Sequence, residues 1–504
     1  MKVKYIIPTL AFAGLINFTS CSLDKDPLDS YSDVTEGFED KGEEIIFKDK
    51  AAVESHLKSL YNILRDRQEH WYLDMLLIGD AHADNAYAGT TGAEVVPFEN
   101  NSIEGSNSVL ARDWDRFLSD IAAANKLICA IDEVKDPSLT DMLKLKYKAE
   151  ASILRAMIMF DMVRLWGDFP VITTIAKDIT ADNIEEVYPS YFPEQNTELE
   201  AYQQIEKDLL FALDYAPDNN SLDKTLMTKS VAKALLAKVY AEKPLRNYEN
   251  VIRYADELAS DGFSLVKDYT DLFGMNESNT DAKKRNTSES IFEIQYFSGS
   301  GNWVTWMFGR DIVNWDNNFS WAKWVTPSRD IIRAFDNEGD VIRKGESIVY
   351  YECSWSNYYP SDNYPFMYKC RSANSSIIKY RYADILLLKA EALIMQGNLD
   401  GGAKIIEQIR ERVNLGKLPN SVKNNKEELF EALLKERRLE LAFEGERWFD
   451  LVRHDKVEEV MNAVFSKDSG RKEQSLKFNK NSYRLPIPQN ALDQNTNLVQ
   501  NPGY

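Results

Sequence analysis

The residues in this chain best suited to chemistry are aromatic. Residues 302–325, NWVTWMFGRDIVNWDNNFSWAKWV, show neither helical nor strand periodicity and carry Trp303, Trp306, Trp315, Trp321 and Trp324. Asn302, Arg310, Asn314, Asp316, Asn317 and Asn318 stand between them. Flat rings beside amides and carboxylates suit a sugar, whose C–H faces stack while its hydroxyls hydrogen-bond outward. Trp303, Trp306, Trp315, Trp321 and Asn314 are therefore the expected ligand contacts, with about half of the segment's rings filling a minor core under the loops. A second aromatic run, WSNYYPSDNYPFMY at 355–368, and Asn85 with Tyr87 in an earlier loop can join the same face.

No catalytic constellation accompanies them. The four histidines, His56, His70, His82 and His454, are scattered, and HExxH, a Cys/His zinc spacing, GxxxxGK[ST], GxGxxG and GxSxG are all absent. With 80 acidic residues, carboxylate pairs occur everywhere and single out nothing. Asp74, Asp80 and Asp84 near His82 have oxygen ligands to offer calcium, but read better as an exposed acidic loop. A non-enzyme without metal or cofactor is expected. The net charge of -20 argues against a nucleic-acid partner.

The elements that must position these rings are helical. Residues 378–413 read as two helices: Tyr382, Ile385, Leu386 and Leu393 share one face with Ala390, Gly397-Asn398 stops the first helix, and Ala403, Ile406, Ile409 and Val413 repeat the pattern. Small residues at the crossing make this a tetratricopeptide-like hairpin, and a hairpin of that kind stacks on others. Helices are also expected at 50–67, 113–134, 141–166, 198–215, 228–242 and 248–260. Another spans 427–454, with a kink at Gly445. Residues 71–101 are expected to be partly loop. The chain thus divides into a helical-repeat region at 46–262, a loop-rich insertion at 263–377 with short strands near 291–296 and 347–352, and a helical region at 378–504 whose Pro- and Asn-rich tail lies extended on the surface.

The N-terminus carries an address. Lys2 and Lys4 precede an apolar run, and Thr19-Ser20 precedes Cys21, which resembles a lipoprotein signal over residues 1–20 with Phe18 in place of the usual Leu. Cleavage would leave Cys21 as the acylated anchor, followed by an acidic tether at 21–45. Asp24 and Asp26 resemble the signal for display on the outer face, although a solvated linker explains them equally. Cys129, on an apolar helical face, is expected to be a buried small hydrophobe. Cys353 and Cys370 flank the second aromatic run, and export permits a disulfide between them or two separate thiols.

Several pieces recur in a known order: GDAHADNAYAG, KYKAEASILRAMIMFDMVRLWGDFPVI, SVAKALLAKVYA, KYRYADILLLKAEALIMQGN, KERRLELAFEGERWFDLVRH and YRLPIPQNAL…QNPGY. Together they resemble the SusD/RagB family of Bacteroidota surface lipoproteins along nearly the whole mature chain. The resemblance implies a mainly α fold, an alpha-alpha superhelix of tetratricopeptide-like hairpins. It also implies lipid-anchored display on the outer membrane, non-catalytic capture of a glycan or oligosaccharide, and a TonB-dependent SusC-like transporter as partner. A peptide ligand, or a purely structural lid for the transporter, are the alternatives. Asp84, Asn85 and Tyr87 match the family's DNA-Y stretch, near the ligand face in some members. Glu436, Arg437, Arg438, Glu440, Glu444 and Arg447 read as scaffold, through i,i+4 ion pairs.

Overall fold

Helix α1 (Lys50–Asp66) shows how local sequence fixes an element: Asp49 caps its N-terminus by accepting from the Ala52 amide, and Val53, Leu57, Leu60 and Leu64 form its buried stripe. A computed structural model describes residues 46–89, 92–297, 301–302, 312–314, 324–354 and 357–504, of which 47–504 form one compact unit. After α1 come α2 (Ser108–Ala130), α3 (Asp141–Trp166), α4 (Glu198–Tyr215), α5 (Lys229–Ala241) and α6 (Tyr248–Ser260). Each of α2 to α5 packs on the helix that follows it. Then α6 packs on α9 (Tyr382–Met395), and α9 on α10 (Leu399–Arg412) and on α11 (Lys426–Glu440). The superhelix therefore continues across the 263–377 insertion as if it were absent. Two shorter helices, α7 (Arg329–Glu338) and α8 (Val341–Ser347), belong to the insertion, and α12 (Arg447–Arg453) and α13 (Val457–Lys467) follow α11.

The insertion leaves and returns at one place. Strand β2 (Ser290–Ile294) pairs antiparallel with β6 (Ile377–Arg381), from Ser290 opposite Arg381 to Ile294 opposite Ile377. Residues 378–381 are thus a strand rather than the start of a helix, because β2 offers them a ladder, and helix α9 begins only at Tyr382. All five residues of β2 are buried, so both of its faces are covered. Inside the insertion, β4 (Ile348–Tyr351) pairs with β5 (Tyr364–Met367). The remaining pair, β1 (Ala86–Tyr87) with β3 (Thr326–Pro327), joins the insertion to the N-terminal region.

Other expectations change on contact with the tertiary structure. Residues 71–81, expected to be partly loop, are helical, within π turns at Glu69–Leu73 and Leu77–Ala81. Cys129 is exposed, its thiol donating to the Thr173 carbonyl at 3.4 Å, since the buried face of α2 is centred on Leu110, Trp114, Phe117 and Ile121. The C-terminal tail is partly buried: Leu485 and Ile487 are interior, Trp166 Nε1 donates to the Pro486 carbonyl at 3.1 Å, and Asn501 Nδ2 donates to the carbonyls of Trp166 and Leu485.

The charged run on α11 is scaffold, but its partners are not along the helix. Glu440, fully buried, accepts from Arg343 of α8 (3.0 Å), Arg381 at the end of β6 (2.6 Å) and Arg412 at the end of α10. Burial raises its pKa, but these arginines, Arg412 first, hold it far below the ordinary carboxylate range. Glu436 takes Arg343 and Arg410, Arg437 bridges Asp384 and Asp450, and Glu444 takes Arg381 and Lys369. Arginine suits these sites because its planar fork reaches several carboxylates at fixed geometry. Insertion, strand and superhelix meet at this cluster, which fixes their relative positions.

Candidate ligand-binding face

Trp303, Trp306, Trp315 and Trp321 lie outside the described residues, as does Cys21, and of Asn314 only the backbone is described, in a short 3-10 turn at Ile312–Asn314. The structure does describe what holds their segment. At its root Asn302 is buried, its amide donating to the Ala373 carbonyl (2.8 Å) and its side chain to the carbonyls of Ser372 (3.0 Å) and Ser375 (2.8 Å). At its middle the Ile312 amide donates to the Arg371 carbonyl at 2.8 Å, and the Ile312 side chain is fully buried. At its far end β3 pairs with β1, the Ser328 amide donates to the Asn85 carbonyl (2.9 Å) and its hydroxyl to the Asp84 carbonyl (2.7 Å). The segment is pinned at three points to two surfaces, 371–375 and 84–87.

This geometry corrects the role expected of Asp84, Asn85 and Tyr87. All three are at most 1% exposed and have no surface to offer a ligand. Asp84 accepts from Arg447 Nε (2.8 Å) and Nη2 (3.0 Å) and pairs with Arg438 Nη2 at 3.2 Å. Burial pushes its pKa up, yet Arg438 and Arg447 outweigh burial and hold it well below the usual range. Asn85 accepts from Arg438 Nε and donates to Asp80, both at 2.8 Å. The Tyr87 hydroxyl donates to Asp468 at 2.7 Å and accepts from the Arg329 amide at 3.0 Å. These residues seat the far end of the Trp-bearing segment.

Aromatic residues of the second run join the same base. The Tyr87 ring stacks on Tyr358 at 4.7 Å and 7°. Tyr359 donates to the Pro327 carbonyl at 2.8 Å, and the Arg329 guanidinium lies 4.3 Å from its ring. The hydroxyls of Tyr364 and Thr326 are 3.0 Å apart. Tyr359 and Arg329 are half-buried and form the described edge of this aromatic and cationic surface. Cys353 and Cys370, at the two ends of the run, are buried thiols with no bond between them; Cys370 Sγ accepts from Asn302 Nδ2 at 3.3 Å.

His70 and Asp120 are 2.7 Å apart but both buried, and His82 is sealed against the Phe98 carbonyl. Asp74, Asp80 and Asp84 do not form an exposed acidic loop: all are buried, with Asp74 paired to Arg112 and Asp80 accepting from the amides of Phe443 (3.1 Å) and Gly445 (2.9 Å). No group of side chains suited to hold a metal occurs among the described residues.

Residues 262–504 match the model described as "SusD family", and residues 36–241 the model described as "Starch-binding associating with outer membrane". The SusD-like protein P38 of Formosa agariphila is 28% identical over 506 residues, covering 92% of this chain and 93% of its own. A SusD-like protein of Bacteroides ovatus is 26% identical, covering 90% of this chain and 82% of its own. Among solved structures, a laminarin-binding SusD-like protein superposes with a TM-score of 0.69 at 23% identity, over 91% of this chain and 100% of that one. Surface glycan-binding protein A from Bacteroides fluxus gives 0.72 at 20% identity, over 90% and 99%. With the two models together matching residues 36–241 and 262–504, this chain belongs to the SusD family.

Proposed function

We propose that this protein is a non-catalytic glycan-binding lipoprotein of the outer-membrane cell surface, which captures an oligosaccharide and delivers it to a TonB-dependent SusC-like transporter. The observation that carries this reading is the three-point anchoring of a segment bearing five tryptophans to buried scaffold, in a chain similar to proteins named for binding laminarin and surface glycans. A segment held at several points lowers the ordering cost of capture, and ring stacking with hydrogen bonds holds a sugar without breaking a bond. The family description of outer-membrane association supports the proposed location. Among the described residues no helix is long and apolar enough to cross a membrane, and acylated Cys21 with its acidic tether would supply the attachment.

The test is a glycan-array screen of the soluble chain beginning after Cys21, beside Trp303→Ala/Trp306→Ala. The expected result is one class of glycan bound by the wild type and lost by the folded variant. Binding of peptides and no glycan by the wild type would refute the glycan assignment. A Cys21→Ala full-length chain should leave the membrane fraction; if it stays there, Cys21 is not the anchor.

A further inference from the structure

A groove of about 710 Å³ shares no lining residue with the candidate ligand-binding face and lies between α1, the first turns of α3, the loop at 222–226 and residues 292–297. Its volume falls within the range of small-molecule clefts. It follows α1 from Glu54 to Arg65, about 16 Å at a helix's rise per residue. Its polar wall is set before any ligand arrives: the Tyr147 hydroxyl donates to Glu54 (2.7 Å), the Tyr61 hydroxyl to Glu150 (2.6 Å), and Gln295 Nε2 to Glu293 (2.8 Å). Lys58, Arg65 and Lys146 line the groove against these three carboxylates and Asp223, so the wall carries almost no net charge. Asn62 adds an amide.

One ring is presented at the groove's edge. Phe297 is 51% exposed although large and apolar, and the Arg285 guanidinium lies 4.4 Å from its ring. Arg285 is itself fixed, donating to Ser376 and to the carbonyls of Tyr296 and Asn374. A held, half-exposed ring beside fixed acceptors and an amide, in a wall of balanced charge, matches an uncharged polyhydroxylated ligand better than an ionic one. From Phe297 the chain runs directly into the Trp-bearing segment.

We infer that this groove is a second carbohydrate subsite, which takes a short stretch of uncharged oligosaccharide laid along α1. One sugar ring stacks on Phe297, and hydroxyls bond to the acceptors of Glu54 and Glu150 and to Asn62. The inference rests on the glycan reading above.

The test uses the soluble chain after Cys21 and linear hexasaccharides of β-1,3-glucan, α-1,4-glucan and β-1,4-mannan, with titration calorimetry and amide hydrogen exchange. Asn62→Trp fills the groove, Phe297→Ala removes its ring, and Trp303→Ala/Trp306→Ala is run in parallel. A hexasaccharide that binds wild type should slow exchange in α1 and in residues 290–297. Either groove variant should weaken it about tenfold, the effect of one well-placed contact, with unchanged thermal stability. If the tryptophan variant loses binding while both groove variants keep wild-type affinity and α1 exchange does not change, the subsite is refuted and the glycan reading stands. If no hexasaccharide binds the wild type, both fall. Tighter groove binding of a uronate hexasaccharide would overturn the uncharged class.

Discussion

Replacing Asp84 by Asn separates a scaffold role from a ligand role at the one carboxylate that the family pattern places near the ligand. Asn preserves the shape and removes the charge. In the wild type the carboxylate lies 2.8 and 3.0 Å from two nitrogens of Arg447 and 3.2 Å from Arg438, at 1% exposure. Arg438 keeps Asp330 at 2.8 Å, so the loss falls mainly on Arg447, a buried guanidinium left without its main counter-charge. Removing one partner of such a pair costs about 3–5 kcal/mol, and the retained Asp330 contact points to the lower end. Over a cooperative unit of this size that shifts Tm by only a few degrees, so urea unfolding at pH 7 is the better assay. The folded carboxyl is held below its unfolded pKa by Arg438 and Arg447 against burial. Its stabilisation is therefore fully present above the unfolded value, near ~3.9, and fades as pH falls below it. The gap between wild type and variant should accordingly narrow below pH ~4. A variant within ~1 kcal/mol of wild type at pH 7 would refute the scaffold reading. So would a variant of unchanged stability that has lost glycan binding.

Two further perturbations probe the same junction. Asp80 is pushed up to about 6 by burial, only partly offset by donors from Asn85, Gly445 and Phe443. Its folded value lies above the unfolded one, so wild type should lose about 3 kcal/mol between pH ~4 and ~6 from this group. Asp80→Asn should lack that loss, and unfolding curves with parallel pH dependence for the two proteins would contradict it. Gly79 packs on the turn between α11 and α12, where a Cβ would sit 2.2 Å from the Gly445 carbonyl oxygen. Since backbone must move, Gly79→Ala should cost more than about 2 kcal/mol or abolish soluble folding, whereas Gly416→Ala, with open space around it, should change stability by under ~0.5 kcal/mol. Equal stability of the two variants would remove the close approach.

The helices were legible because their signals are local. Asp49 before α1, Thr197 before α4 with Glu200 in its first turn, and the apolar stripe Val53-Leu57-Leu60-Leu64 act within a few residues, so periodicity and capping specify them without knowledge of the rest of the chain. The SusD resemblance was likewise legible in the order of its pieces. The strand at 378–381 was not, because its ladder partner is β2, more than eighty residues earlier, and an apolar stretch goes to whichever backbone partner the fold provides. Nor was the inward turn of Asp84: its arginine is Arg447, and a carboxylate's environment depends on what the fold brings opposite it. The acidic residues of 74–84 look exposed in sequence because isolated carboxylates are costly to bury; Arg112, Arg438 and Arg447 and the amides of the 443–445 turn supply what makes it tolerable. Sequence alone determined most of the long helices and which family the chain resembles, through short-range patterns. Only the tertiary structure decided that the insertion loops out of a continuous superhelix, that the DNA-Y stretch anchors it, and that α11 is held by distant arginines, because each of these depends on contacts between residues far apart in the chain.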